Sequence, residues 1–255
     1  MEVKLKILNH KLFAEYDSEI KIDLEKKVKL IKAINLPFNF DFYEASAATY
    51  SSNIEGNSTS LDTFLKYSST KSIKENKEIV EINDLVKAYQ FAKKNELTKK
   101  NFLQSHKILS KQFLITSAQG KLRKGNVVIA GKQGIAYVAI EYQYLKKEFD
   151  LLFYDIDLII GTKLSLVQAL YFSSLIHLIF EKIHPFNDGN GRSGRLLEKW
   201  FLSNFIGERA WMIESEKYYF ENRDAYYKNL SIGFDYESCD LDKALPFLLM
   251  LPKAI

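Results

Sequence analysis

The 255-residue sequence has few of the residues that break helices or crosslink a chain. It contains one cysteine, four prolines and eleven glycines. The single cysteine, Cys239, excludes an intrachain disulfide, which is typical of proteins from reducing compartments such as the cytoplasm. So few helix breakers among many Leu, Ile, Lys and Glu residues favour an all-α fold.

The sequence also lacks a strong charge and a long hydrophobic run. The net charge is +4, and the lysines form no dense basic block, so we expect no nucleic-acid partner. The most apolar segment, Leu164 to Phe180, is interrupted by polar residues, and the segment MEVKLKILNH at the N-terminus lacks the apolar core of a signal peptide. These features predict a soluble cytoplasmic protein without a membrane partner.

Apolar periodicity predicts helices along most of the chain. The predicted helices span residues 18–34, 41–55, 60–66, 74–93, 99–114, a segment from about 141, 164–182, 192–205, 216–231 and 240–250. Thr98 is a suitable N-cap, and Gly56 a suitable stop after the second helix. The β-prone segments 126–130 and 135–139, which flank Gly131 and Gly134, predict one hairpin.

One glycine-containing loop, HPFNDGNGRSGR from His184 to Arg195, lies between two apolar helices. Gly189 and Gly191 allow backbone conformations in which several N–H groups point at one anion. The helix predicted to start near Arg192 adds free N–H groups and a favourable dipole. Arg192 and Arg195 bring guanidinium groups suited to phosphate oxygens.

The same loop carries the residues needed for phosphoryl-type chemistry. Asp188 is its one acid, and a carboxylate beside phosphates commonly holds Mg²⁺. His184, at the start of the loop, is the side chain best suited to accept a proton near neutral pH. The alternative is a glycine-rich turn with solvated arginines, which does not explain the ordered set of side chains.

Three other motifs in this region are weaker. Gly189 to Gly194 matches G-x-G-x-x-G, but a dinucleotide site requires a preceding strand, and a helix precedes this segment. A P-loop requires Lys and Ser or Thr where Arg195 and Leu196 stand. His177, Glu181 and His184 have helical spacing, yet a core histidine is the commoner role for His177.

The loop resembles the signature of the Fic domain family, HxFx(D/E)GNGRxxR. The matching positions are His184, Phe186, Asp188, Gly189, Asn190, Gly191, Arg192 and Arg195. The resemblance covers about residues 100–205 and implies a Fic-type helical bundle with a small β-hairpin flap. It implies three regions: an N-terminal helical region (1–98), a Fic core (99–207) with its flap (126–139), and C-terminal helices (208–255) that pack on the core.

The resemblance implies transfer of AMP from Mg-ATP to a Ser, Thr or Tyr hydroxyl of a protein. It makes His184 the general base and Asp188 the Mg²⁺ ligand. ATP would be bound by Asn187, Gly189, Asn190, Gly191, Arg192 and Arg195, with Asn190 and the loop N–H groups at the α-phosphate, Arg192 at the β- and γ-phosphates and Arg195 at the γ-phosphate. Phe186 would anchor the loop. Tyr226 and Tyr227 resemble an aromatic pair near the adenine, with core packing as the alternative.

The segment from Ser51 to Gly56 matches the family's inhibitory pattern (S/T)xxxE(G/N), in a helix at about 41–56 that precedes the Fic core. The resemblance implies that Glu55 pairs with Arg195, removes it from the γ-phosphate and leaves ATP misaligned for attack. A surface glutamate before a helix stop is the alternative reading.

The expected partner is a protein substrate docked on the flap by β-strand addition, and the sequence leaves a homodimer open. De-AMPylation and a nucleotide-binding regulatory module without activity remain alternative functions.

Overall fold

The computed structural model describes residues 4–31, 39–70, 74–131 and 134–255. The N-terminal part contains α1 (Phe13–Glu19), α2 (Leu24–Ile31), α3 (Asn39–Ile54), α4 (Leu61–Thr70) and α5 (Lys77–Lys94). The middle contains α6 (Lys99–Leu109), β1 (Val128–Gly131), β2 (Gly134–Val138), α7 (Tyr142–Ile160), α8 (Leu166–Ile183) and α9 (Asn190–Ile206). The C-terminal part contains α10 (Arg209–Met212), α11 (Ser215–Glu221), α12 (Arg223–Leu230), a 3₁₀ turn (Leu241–Lys243), α13 (Leu245–Leu248) and α14 (Met250–Lys253).

The described fold is mainly helical with one small antiparallel sheet, as the sequence predicts. Helices α8 and α9 pack against each other at the centre, and α3, α5, α6 and α7 surround them. Thr98 is the N-cap of α6, its Oγ1 accepting a hydrogen bond from Asn101 N at 3.2 Å. The predicted end of α3 is also correct, since Gly56 follows it with a φ of +101°.

Several predicted boundaries are wrong because local caps and turns override the apolar period. The predicted helix 18–34 is two helices, since Ile20 is extended and Asp23 Oδ1 accepts a hydrogen bond from Lys26 N at 2.9 Å at the start of α2. The last residues of this predicted helix, 32–34, lie outside the described residues. Helix α6 ends at Leu109 and not near residue 114, because Ser110 O accepts turn hydrogen bonds from Phe113 and Leu114.

The C-terminal part is more broken than predicted. The predicted helix 216–231 is interrupted at Asn222, whose φ and ψ are −112° and 36°. The predicted helix 240–250 is the 3₁₀ turn followed by α13 and α14, two four-residue helices. A proline lies in each of these two short helices and lacks the N–H that a longer helix would need.

Helix α8 forms the core of the bundle. It is long and apolar enough, by length and composition alone, to cross a membrane, contrary to the expectation from its polar interruptions. Yet 78% of it is buried inside the protein, which is the environment of a core helix. Ser165 and Gln168 start it with a reciprocal capping box. Its C-terminal end carries the loop that begins at His184.

Candidate active site

His184 terminates α8 in a conformation that L-residues rarely adopt. Its φ and ψ are 49° and 62°, and it is the one non-glycine residue with a positive φ in the described chain. Its N–H donates to Phe180 O at 2.9 Å, which closes the last turn of the helix. The backbone thus turns sharply and presents the imidazole at the mouth of the loop. Such strained backbone conformations are common at active sites.

The imidazole of His184 is neutral at physiological pH. Burial lowers its pKa to about 4, although a hydrogen bond from the ring to the Glu181 backbone acts in the opposite direction. The positive charge of Arg123 lowers the pKa further, whereas Glu55 raises it. A neutral imidazole held by a backbone carbonyl has one ring nitrogen free to accept a proton, as a general base requires.

We expect His184 to titrate with a midpoint near pH 4 in the folded protein. Because burial disfavours the imidazolium, protonation opposes folding. The stability that the neutral ring contributes is therefore present above about pH 6.5 and is lost as the pH falls towards 4. NMR titration of histidine side chains, assigned with a His184→Ala variant, measures this midpoint. A midpoint at the ordinary value of about 6.5 would show that the ring is solvated.

Asn190 and Phe186 lock the loop between His184 and α9. The Asn190 carboxamide donates to Phe186 O and accepts from Phe186 N, both at 2.9 Å, and the residue is 2% exposed. The side chain predicted for the α-phosphate is therefore directed into the loop. The group of Asn190 that could bind an anion is therefore its backbone N–H, which lies in the first turn of α9. Phe186 is fully buried, as an anchor of the loop requires.

His106, which the sequence does not mark, supports the loop from below. Its ring stacks on Phe186 with centroids 3.6 Å apart and planes 10° apart. Gly120 N donates to its Nδ1 at 3.0 Å, so Nε2 carries the hydrogen and donates to Asp188 O at 3.0 Å. Burial lowers the pKa of His106 to about 4, which keeps this neutral tautomer. The His106 ring therefore holds the loop at two points, by stacking on Phe186 and by its hydrogen bond to the Asp188 carbonyl.

Replacing His106 with alanine should lower the free energy of unfolding by about 2–4 kcal/mol, since it empties a buried site and leaves two backbone groups unpaired. Urea denaturation measures the change. Lys107→Ala, on the exposed face of the same helix, is the matched control and should change it by less than about 0.5 kcal/mol. Equal values for the two variants would contradict a supporting role of the ring.

Arg123 is a second residue that the sequence does not mark, and it joins the flap to the loop. It is 3% exposed and donates from Nε to His184 O at 2.9 Å and from Nη1 to Gly125 O at 2.6 Å. Its Nη2 donates to Ile140 O, just after the flap. Nothing in the local sequence distinguishes Arg123 from the other arginines, because its partners lie up to 61 residues away.

The open side of the loop carries Asn187 and Asp188, which are both exposed. Asp188 Oδ1 accepts from Gly189 N at 2.6 Å and lies 3.4 Å from Arg192 Nη2. Gly189 has a φ of +82°, and a Cβ there would also contact the Phe113 ring at 3.1 Å. A side chain at this position would therefore be strained and crowded. The glycine lets the backbone turn into α9.

Arg192 is held in place by an aromatic ring and two acids. Its guanidinium carbon lies 3.7 Å from the centroid of the Phe113 ring. Nη1 lies 3.9 Å from Glu81 Oε2, and Nη2 faces Asp188. Its Nε is buried without a hydrogen-bond partner among the described residues. Asp188, Arg192 and the start of α9 thus form one polar surface at which an anion and a cation can both bind.

Arg195 is fully buried and faces α3. Its Nη2 donates to Glu55 Oε1 at 2.7 Å and to Ser51 O at 2.9 Å, and its Nε donates to Ser51 Oγ at 2.8 Å. Its Nη1 donates to Tyr226 OH at 3.1 Å. The contact between Glu55 and Arg195 that the sequence predicts is present, and Ser51 contributes to it through both backbone and side chain.

The Glu55 carboxylate also lies against the first turn of α9. An ideal Cβ on Gly191 would be 2.1 Å from Glu55 Oε1, so no other residue at position 191 leaves the carboxylate in place. Burial raises the pKa of Glu55, but the charge and hydrogen bond of Arg195 outweigh it. Together with the charges of Arg192 and His184, these effects of Arg195 lower the pKa of Glu55 below its usual value. Glu55 is therefore an anion held at the start of α9.

Tyr226 and Tyr227 have different environments. Tyr226 is 1% exposed, and its hydroxyl lies 3.1 Å from both Arg195 Nη1 and His177 Nε2, so its ring packs in the core. Tyr227 is 43% exposed, and its hydroxyl donates to Ile54 O at 3.1 Å. Only Tyr227 of this pair has a surface that a ligand could contact. It also contacts the end of α3.

His177 is a core histidine. Its Nδ1 lies 2.8 Å from Glu198 Oε2, and Tyr219 OH donates to the same carboxylate oxygen at 2.8 Å. No group of three or more potential metal ligands occurs among the residues that the structure describes. The helical spacing of His177, Glu181 and His184 therefore reflects packing and not a metal site, because His184 leaves the helix at its cap.

Comparison with known proteins identifies a family for the part of the chain that contains this loop. The Fic/DOC family model matches residues 96–202. The fold is similar to a Fic family protein from Desulfovibrio desulfuricans G20, with a TM-score of 0.73 and 22% identity over 94% of this chain and 70% of that one. It is also similar to a Fic domain containing signaling protein from Bacteroides thetaiotaomicron VPI-5482, with a TM-score of 0.67 and 18% identity over 96% and 91%.

A third similar structure is Fic-1 (residues 134–508) from C. elegans, with a TM-score of 0.65 and 17% identity over 95% of this chain and 70% of that one. No curated protein sequence is significantly similar to this chain. Residues 96–202 of the chain thus match the Fic/DOC family. The Fic family generally transfers nucleotidyl or phosphate groups onto proteins, which supports a Fic-type enzyme.

Proposed function

We propose that this protein transfers AMP from ATP to a Ser, Thr or Tyr hydroxyl of a target protein, and that Glu55 restrains it. The observation that carries the proposal is the position of the Glu55 carboxylate. It lies against Gly191 and 2.7 Å from Arg195, so an anion already occupies the place where the loop is expected to bind phosphate. A helix N-terminus with a nearby arginine favours a phosphate oxygen for the same reason.

In the proposed reaction, His184 accepts the proton of the target hydroxyl as that oxygen attacks the α-phosphorus of ATP. The bond between the α-phosphorus and the bridging oxygen breaks, and pyrophosphate leaves. The neutral state of His184 supports this role. The backbone N–H groups at the start of α9 are suited to stabilise the charge on the α-phosphate oxygens.

Asp188 is suited to hold Mg²⁺. Its side chain is 53% exposed, and it faces Arg192. That arrangement fits an ion bound through one carboxylate and the phosphates of a substrate. Bound there, Mg²⁺ would neutralise phosphate charge. Arg192, on the same face, is suited to the β- and γ-phosphates.

The flap formed by β1 and β2 is suited to hold the target segment. Val138 N donates to Phe234 O at 2.9 Å, and Tyr236 N donates to Val138 O at 3.2 Å, so this end of β2 is covered by the segment 234–236. Val128 and Ile135 are more than half exposed on the hairpin. A target strand can therefore pair with an edge away from Val138 and cover these side chains.

The position of a radioactive label in ATP tests the reaction type. The Glu55→Gly protein, incubated with Mg²⁺ and ATP, should retain label from the α-phosphate and none from the γ-phosphate. His184→Ala in the same background should retain neither. Label from the γ-phosphate would identify a phosphotransferase and overturn the proposal. No label on the protein itself or on any protein of a host lysate would also overturn it.

A further inference from the structure

The Glu181 carboxylate belongs to a half-buried acid that the proposed reaction does not use. Its Oε1 is inaccessible to solvent and has no hydrogen-bond partner among the described residues. A Cβ on Gly194 would lie 2.6 Å from this oxygen and 2.9 Å from the His177 ring. Because Gly194 has no side chain, the Glu181 carboxylate can lie against α9 at this position. Gly194 directly precedes Arg195 in the sequence.

The charges that act on Glu181 include those of Glu55 and Arg195, the two residues of the proposed restraint. Burial raises the pKa of Glu181. His177, Arg195 and Lys182 oppose that effect and Glu55 adds to it, so the pKa of Glu181 lies above its usual value. In turn, Glu181 favours the charged form of Arg195. The geometry connects them: the His177 ring and Glu181 Oε1 both lie against Gly194, and Tyr226 OH lies 3.1 Å from both His177 Nε2 and Arg195 Nη1. Glu55 bonds to the guanidinium directly, whereas Glu181 lies behind His177 and Tyr226.

We propose that Glu181 is a positioning residue that acts as the reserve counterion of Arg195 and so favours departure of Glu55. Arg195 is 0% exposed, and a buried cation without a partner is costly. When Glu55 leaves, the negative charge of Glu181 remains to compensate Arg195 before a nucleotide arrives. While Glu55 is present, the two carboxylates repel each other. Both effects shift the equilibrium towards the released state.

A second consequence separates this role from simple structural support. Once Glu55 is gone, a carboxylate at position 181 no longer aids release, and it repels the γ-phosphate that Arg195 would bind. The same substitution should therefore act in opposite directions in the two backgrounds. Glu181→Gln keeps the size and removes the charge. The proposal rests on the proposed function, because it assigns Arg195 a phosphate as its second partner.

The experiment compares four proteins: wild type, Glu181→Gln, Glu55→Gly and the double variant. Glu181→Gln should lower AMP transfer about 5-fold or more in the wild-type background. It should leave transfer unchanged or higher in the Glu55→Gly background. Glu96→Gln, an exposed residue before α6, is the control and should change neither rate. Losses of equal size in both backgrounds would overturn the proposal.

Hydrogen exchange without nucleotide supplies a readout that does not depend on activity. Amides from Ser51 to Asn57 should exchange more slowly in Glu181→Gln than in wild type. The reason is that the C-terminal end of α3 would then separate from Arg195 less often. Unchanged or faster exchange there would overturn the proposal even if AMP transfer occurs. If Glu55→Gly transfers no AMP while exchange slows as expected, the proposed function fails and the counterion role stands.

Discussion

Replacing Glu55 with glycine is expected to raise the rate of AMP transfer by on the order of 10- to 100-fold. In this structure Arg195 donates to Glu55 and Ser51 and is buried, so it cannot at the same time bind a γ-phosphate. The carboxylate also lies against Gly191, at the start of the helix where phosphate would be bound. Removing the Glu55 carboxylate therefore makes both the Arg195 guanidinium and the start of α9 available to phosphate.

The measurement is the initial rate at which protein retains label from the α-phosphate of ATP. Glu55→Gln is the matched control for charge, since it retains the length of the side chain. It should give an intermediate rate, because the amide still fills the space but attracts Arg195 less strongly. Equal rates for wild type and Glu55→Gly would mean that this contact does not restrain the enzyme.

Replacing His184 with alanine is expected to lower AMP transfer by about 100- to 10,000-fold, the usual contribution of a general base. The effect should appear in the Glu55→Gly background, where the rate is otherwise high. The fold should persist, because α8 ends through the backbone bond from His184 N to Phe180 O, which alanine can also make.

Nucleotide affinity distinguishes loss of chemistry from loss of structure in this variant. His184→Ala should bind ATP within about threefold of its parent, since the imidazole is assigned to the target hydroxyl and not to a phosphate. Circular dichroism should show an unchanged helical spectrum. Retained transfer in the alanine variant would show that another group accepts the proton.

The candidate site could be predicted from the sequence because its residues are consecutive, from His184 to Arg195. Gly189 has the positive φ that turns the backbone into α9, whereas Gly191 lies within α9 and leaves space for the Glu55 carboxylate. The contact of Arg195 with Ser51 and Glu55 could also be predicted, since these two residues are one helical turn apart and so face the same neighbour. The 3.6-residue period likewise predicts the central helices α8 and α9 with small errors at their ends.

The supporting residues could not be predicted, because their partners are distant in sequence. His106 bonds to Asp188 across 82 residues, and Arg123 bonds to His184 across 61. Asn190 illustrates a different limit. Its place in the motif predicts a role in binding phosphate. Only the fold reveals that its side chain bonds to the Phe186 backbone, so that its own backbone N–H is the group available to an anion.

The central claim is that Arg195 has two alternative partners, Glu55 and the γ-phosphate of ATP. The most direct test is calorimetric binding of a non-hydrolysable ATP analogue and of ADP, with Mg²⁺, to wild type and Glu55→Gly. We predict that the wild type binds the two nucleotides with similar affinity, whereas Glu55→Gly prefers the ATP analogue by about 10-fold or more. The same ratio of affinities in both proteins would contradict the claim.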